Sequence, residues 1–197
     1  HKFMLGEFGW VSQKPPKGGG NTMTYIYNEG NGPFDNVVRD SSIEYPNSPA
    51  ISLKSPGSIL ENCYIHNIEW DVNSSGGSGS LPGGHYTTVK NCTIHTTGGS
   101  EGIRLGSNST IEGNRIFNTS LLQHDGSAIN IGTSSQPGTV ARRNWVYNTN
   151  RQAVRFDSTT SAYGSNAAVS ENVFFDVSGG GGGNKFKGDY QLCAKNT

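Results

Sequence analysis

Apolar residues recur along this chain in a fixed frame. An apolar position is followed by two free positions, a small residue or Asn, one free position, a second apolar residue and often Asn two further on. The clearest copy is Ile111, Asn114, Ile116 and Asn118. The frame also fits Leu60, Cys63, Ile65 and Asn67; Val89, Cys92, Ile94 and Thr96; Ala141, Asn144, Val146 and Asn148; and Val169, Asn172, Phe174 and Asp176. A weaker first copy is Val38, Ser41, Ile43 and Tyr45. The first positions lie 22, 29, 22, 30 and 28 residues apart. A second pattern of small, apolar, polar, apolar follows most copies: Ala50 to Leu53, Gly102 to Leu105, Ala128 to Ile131 and Ala153 to Phe156. Its last copy, around Asn184 to Lys187, is degraded, and the second turn replaces or hides it in a Ser/Gly stretch at 73–84.

Segments this short, with period-2 alternation, are strands. Their spacing leaves no room for the helical crossovers of a β-α-β sheet. It predicts a coil that stacks each turn on the one below and buries like residues on like. The expected fold is therefore all-β, a parallel β-helix with one strand path and about six turns. Asn at a fixed corner suits it, because Asn tolerates left-handed backbone and can hydrogen-bond along a ladder. The coil is expected over 36–197, with 1–35 an irregular segment packed on the first turn. Residues 190–197 begin another turn, with Leu192 at its first apolar position, and stop without a cap. That is the look of a solenoid truncated or continued at its C-terminus, with another chain or a neighbouring domain stacked there.

Composition agrees with many short strands joined by turns: 32% hydrophobic residues and 28 glycines among 197. Zero formal net charge argues against a nucleic-acid partner, which usually meets a basic protein. No apolar run approaches the ~18 residues of a membrane span. The start at His1 has no signal-peptide layout and reads as processed, trimmed or internal. Three cysteines do not define a disulfide framework. Sequons at Asn73, Asn91, Asn108 and Asn118 permit glycosylation in a secreted eukaryotic protein without arguing for it.

The frame resembles the right-handed parallel β-helix repeat of pectate-lyase-like and other carbohydrate-active secreted proteins. Ile111, Asn114, Ile116, Asn118, Gly102, Ile103 and Leu105 and their equivalents carry the likeness, over roughly 36 to 190. The resemblance implies an extracellular protein that binds or cleaves polysaccharide, as a lyase or glycoside hydrolase. It also implies that the inserts at 119–126 and 158–168 wall a cleft. Calcium enters only by that analogy, since the acidic cluster expected of pectate lyases is not recognisable here. The Asp-Asp, Gly-His-Gly and Arg-Ile-Lys motifs of polygalacturonases are absent, so the resemblance assigns no catalytic residue. The fold also serves fibres, adhesins and coats, and a non-catalytic structural module is the alternative.

Candidate chemistry comes from rows of stacked residues. The outward positions of the second strand line up as Ser52, Arg104, Asn130, Arg155 and Lys185, with Lys187 just beyond. Three cations and an amide suit a carboxylated or sulfated polysaccharide, which places substrate binding at Arg104, Asn130, Lys185 and Lys187. An ordinary solvated face, with the arginines paired to Glu101, Asp125 or Asp157, is the competing reading. Arg155, His124, Asp125 and Asp157 are the candidates for catalysis: a cation for a uronate carboxylate, a loop His-Asp neighbour pair, and a carboxylate pair for hydrolysis. His66, His95, Phe117, Tyr147 and Phe175 form a second row, an aromatic ladder whose plain role is packing and whose functional role would be sugar stacking. No carboxylate or Cys beside the two histidines completes a metal site. Cys63 and Cys92 share one frame position on adjacent turns, close enough for a disulfide, with stacked free thiols the better expectation.

Overall fold

The computed structural model describes residues 25–26, 36–46, 49–53, 55–70, 81–99, 101–123, 125–131, 137–156, 166–178 and 183–197. Among them the chain forms strands and turns only, wound as a solenoid with three parallel sheets. The first sheet has seven strands, Val37–Arg39, Ile59–Glu61, Thr88–Lys90, Thr110–Glu112, Val140–Arg142, Ala168–Ser170 and Leu192–Ala194. The second has six, Ser42–Glu44, Tyr64–Ile68, Thr93–Thr97, Arg115–Thr119, Trp145–Thr149 and Val173–Val177. The third has five, Leu81–Pro82, Glu101–Leu105, Ser127–Ile131, Gln152–Phe156 and Asn184–Phe186. Four consecutive coils, starting at Thr88, Thr110, Val140 and Ala168, carry at least three residues in every sheet. No described helix is long and apolar enough to cross a membrane.

Alternation fills the interior. Leu60, Val89, Ile111, Ala141 and Val169 come from the first sheet, Ile43, Ile65, Ile94, Ile116 and Val146 from the second, and Leu81, Ile103, Ile129 and Val154 from the third. All are at most 1% exposed, so like stacks on like as the frame requires. The corners explain the polar positions. Three left-handed residues recur per coil, one series being Asn62, Asn91, Gly113, Arg143 and Glu171, another Asn67, Thr96, Asn118, Asn148 and Asp176. The third is Tyr86, Asn108, Gly138 and Asn166. Asn, Asp and Gly hold φ near +55° at little strain, which is why they crowd the turns.

The frame's Asn turns inward, beside the first corner. Asn144 Oδ1 accepts from the backbone N and Nδ2 of Asn114, both at 3.0 Å. Asn172 Oδ1 does the same for Asn144, and Asn196 Oδ1 for Asn172. At the other end Asn114 Oδ1 accepts from Cys92 N at 2.9 Å, and Cys92 Sγ from Cys63 N at 3.4 Å. The cysteines thus extend the ladder as free, buried thiols. The side-chain hydrogen bond between the Cys63 and Cys92 thiols, then burial, pushes the Cys92 thiol up from its ordinary range.

Outside, the first sheet stacks charges of alternating sign: Arg39, Glu61, Lys90, Glu112 and Arg142 are register partners in turn. Lys90 meets Glu61 at 3.0 Å and Arg142 meets Glu112 at 2.9 Å. A slip of one residue would misplace every pair.

One sequence expectation is corrected, that of Leu192, and two are sharpened. The last coil sets Cys193, not Leu192, opposite Val169, so Leu192 points outward and Asn196 takes the ladder position. The Ser/Gly stretch hides a third-sheet strand at Leu81–Pro82, paired with Ile103 and Arg104. Of the first 35 residues only Tyr25–Ile26 is described, a strand parallel to Ser52–Leu53.

Candidate functional site

The third sheet sets Arg104, Asn130, Arg155 and Lys185 in strict register on consecutive coils. Ile103 and Leu105, Ile129 and Ile131, and Val154 and Phe156 flank these residues and point into the core, which forces the residue between them outward. The row therefore advances ~4.8 Å per coil. Asn130 is only 3% exposed, and its Oδ1 has no hydrogen-bond partner among the described residues. Ser52, at the head of the expected line, is fully buried and pairs with Tyr25. Lys187 lies past the strand end, its backbone N bonded to the Phe156 carbonyl at 3.1 Å.

A parallel row went unread in the sequence. Glu101, Ser127 and Gln152 are register partners and are buried, at 7%, 0% and 8% exposure. Only their place before the small residue of each copy could have revealed them. Gly102 is small for a physical reason, since a Cβ there would come within 2.5 Å of the Ala128 carbonyl oxygen.

The arginines carry carboxylates of the chain's own. Arg155 Nη1 pairs with Asp125 Oδ1, which joins the loop of one coil to the strand of the next. The guanidinium side chain is 14% exposed and the Asp125 side chain 85%. Arg104 Nη1 stands 3.7 Å from Glu101 Oε2. The structure thus brings together two expected catalytic residues, Arg155 and Asp125, and aligns Arg104, Asn130 and Lys185 with them. His124 and Asp157 lie outside the described residues. The row differs from the first sheet in one respect: Arg155 and Lys185 are direct register partners of like sign. Like charges stacked at strand spacing destabilise a sheet.

The second sheet carries the aromatic ladder. His66, His95, Phe117, Tyr147 and Phe175 stack at centroid distances of 5.1, 4.5, 4.8 and 4.6 Å, with planes within 9° of parallel. The inner rings hide their faces in their neighbours, while Phe175 at the end of the stack is exposed. Tyr64 tilts over both imidazoles, and its hydroxyl meets His95 Nε2 at 2.9 Å. His95 Nδ1 meets Thr96 Oγ1 at 2.8 Å. Burial, then the neighbouring His66 and Arg115, hold the His95 pKa below its ordinary value. Ser42, which donates to Glu44 at 2.7 Å, and then His66 hold the Glu44 carboxyl below the carboxylate range.

Among the described residues no group of three or more His, Cys, Asp or Glu stands close enough to hold a metal ion. No curated protein and no solved structure matches the chain. The family description "Right handed beta helix region" matches residues 18–190. The frame, the three parallel sheets and that match agree, and the chain belongs to the right-handed β-helix family.

Proposed function

We propose that this β-helix is an extracellular polysaccharide-handling protein that holds an anionic glycan along the outer face of its third sheet, with Arg155 at the centre. The like-charged neighbours Arg155 and Lys185 carry this reading. Asp125 offsets this repulsion at Arg155, and a bound anion that spans both cations would offset it at Lys185 as well. Arg104 extends the row, with Asn130 buried between the two arginines. Asp125, 85% exposed, is a partner that a ligand carboxylate displaces at little loss, because exposed ion pairs contribute only ~0–1 kcal/mol. A uronate carboxylate is the natural substitute, since carboxylates can meet guanidinium in a two-pronged way.

The chemistry that follows is β-elimination. Arg155 neutralises the uronate carboxylate and acidifies the adjacent C–H. A base takes that proton, with the released Asp125 in reach of the same guanidinium. The electron pair forms the new double bond and expels the glycosidic oxygen, which leaves with a proton. A structural coil is the second reading, favoured by the pairing of both arginines within the chain. The test is to incubate the purified protein with polygalacturonate, alginate and chondroitin sulfate, following ultraviolet absorbance of the new double bond alongside reducing ends. Absorbance that disappears in Arg155→Ala supports elimination. Reducing ends without absorbance point to a hydrolase. Folded protein that neither binds nor cleaves any anionic glycan refutes the proposal in favour of the structural coil.

A further inference from the structure

The inward ladder is built from asparagine at Asn114, Asn144, Asn172 and Asn196, but from cysteine at Cys63 and Cys92. Asparagine suits that corner better. Its carboxamide both accepts and donates, whereas a thiol does each only weakly. Cys92 Sγ accepts the Cys63 N–H at 3.4 Å and reaches the Lys90 carbonyl at 3.2 Å, while Cys63 Sγ reaches the Glu61 carbonyl at 3.3 Å. Ladder bonding therefore does not account for two cysteines in succession. Their placement does. Glu61 pairs with Lys90 before them and Tyr64 with Thr93 after them, so the two residues are strict stacking partners. Their α-carbons are one coil apart, ~4.8 Å, inside the ~4.4–6.8 Å that a disulfide spans. The thiols already meet through a side-chain hydrogen bond. That contact holds the Cys63 thiol below its ordinary range and pushes the Cys92 thiol above it. Cys193 lies four coils beyond Cys92, ~19 Å away, and cannot reach either.

We propose that Cys63 and Cys92 are a redox modification site, a dithiol that a low-molecular-weight disulfide oxidises to a covalent staple between adjacent coils. The exchange balances in two steps. Cys63, as the thiolate that the Cys92 S–H supports, attacks one sulfur of the small disulfide; a mixed disulfide forms and one small thiol departs. Cys92 then gives up its proton and attacks the Cys63 sulfur, which expels the second small thiol. Two protein thiols are oxidised, one small disulfide is reduced to two thiols, and the two protons leave with them. The staple closes the coil whose third-sheet strand, Leu81–Pro82, has two residues, against five in each of the next three coils. A covalent link there reinforces a coil whose own ladder is short. Both cysteines are buried, so the link forms as the chain folds and is then shielded from reductant.

The staple does not depend on the third-sheet reading, and no glycan enters its test. The reduced chain is unfolded in urea, which opens both thiols to the oxidant, and refolded in a buffer of reduced and oxidised glutathione. Remaining thiols are alkylated, and peptides are mapped without reduction. The refolded protein should carry Cys63 linked to Cys92, and Cys193→Ser, which removes the exposed thiol, should carry the same link. The urea midpoint of the linked form should lie about 1 M above that of the same protein refolded under reductant, the scale of one added disulfide. Cys92→Ser, which keeps an acceptor at the corner, should show equal midpoints in the two buffers. Folded protein in which Cys63 and Cys92 are both alkylated after refolding in the most oxidising buffer, or either cysteine linked to Cys193 instead, or a linked form whose midpoint does not rise, each overturns the proposal.

Discussion

Replacing Asn144 by Ala tests the physical account of the ladder most directly. Asn144 is fully buried. Its Oδ1 accepts two hydrogen bonds from Asn114, and its Nδ2 donates to the Ile111 carbonyl at 3.0 Å and to Asn172 Oδ1 at 2.9 Å. The substitution removes all four. It strands the Asn114 backbone N–H and one side-chain N–H of Asn114 in a dry corner, and takes from the Ile111 carbonyl its side-chain donor. Each orphaned buried group costs ~1–3 kcal/mol. The neighbours relax in part, so the net loss should be about 3–5 kcal/mol, large against a total of ~5–15 kcal/mol. Asn144→Cys should lose about half as much, because one acceptor survives; Cys92 Sγ accepts the Cys63 N–H at this same position at 3.4 Å. Urea unfolding followed by far-ultraviolet circular dichroism gives the midpoints. Asn150→Ala is the control, an exposed residue with one long bond of 3.4 Å to the Ser120 carbonyl. Equal midpoint shifts for Asn144→Ala and Asn150→Ala would refute the reasoning.

Three further outcomes follow from the same geometry. Gly102→Ala should destabilise by about 2 kcal/mol, since the new Cβ meets backbone that cannot yield, whereas Gly183→Ala, with nothing within 4 Å, should change nothing; melting temperatures compare them. His95 is held below its ordinary pKa of 6.5, so the unfolded chain binds its proton first and stability falls as pH drops below that value. His95→Phe, which matches Phe117 in the stack, should remove that part of the slope in urea titrations between pH 7 and the folded-state pKa. Of the three cysteines, Cys193 is exposed while Cys63 and Cys92 are buried, so a thiol reagent should label one site in the native protein and three in denaturant.

The coil was legible in the sequence because stacking makes each position repeat. A buried Ile in one turn sits on a buried Ile in the next, so the frame carries register as well as burial. Its failures come where the stacking residue changes identity. Cys193 replaces an aliphatic residue at the last turn, and Leu192 beside it drew the frame one residue early. Leu81 stands in a two-residue strand, too short for alternation to show. The site was legible as a row, since Arg104, Asn130, Arg155 and Lys185 share one offset from the core residues. The Glu101, Ser127 and Gln152 row was not, because three unlike polar residues share no pattern and only coordinates reveal their burial. Pairing of the arginines with Glu101 and Asp125 was legible only as the alternative to a free cationic face, and it is what the structure shows.

The outer rows also bear on the proposed ligand face. In a coil, a residue's nearest neighbours are its register partners above and below, so each row is a one-dimensional chain whose members must suit each other. The first sheet solves this with alternating charges and the second with stacked rings. The third sheet does not, because Arg155 faces Lys185. Asp125 compensates Arg155 in part, and under the proposed reading the ligand's anion completes that compensation. Lys185→Glu puts an opposite charge against Arg155 and should stabilise the coil by up to about 1 kcal/mol. The same change should abolish binding of anionic glycan, because it supplies internally the anion that the ligand would bring. Urea midpoints and affinity gels on one variant read both effects. If Lys185→Glu lowers stability, or keeps its grip on anionic glycan, the like-charged pair is not the ligand's place.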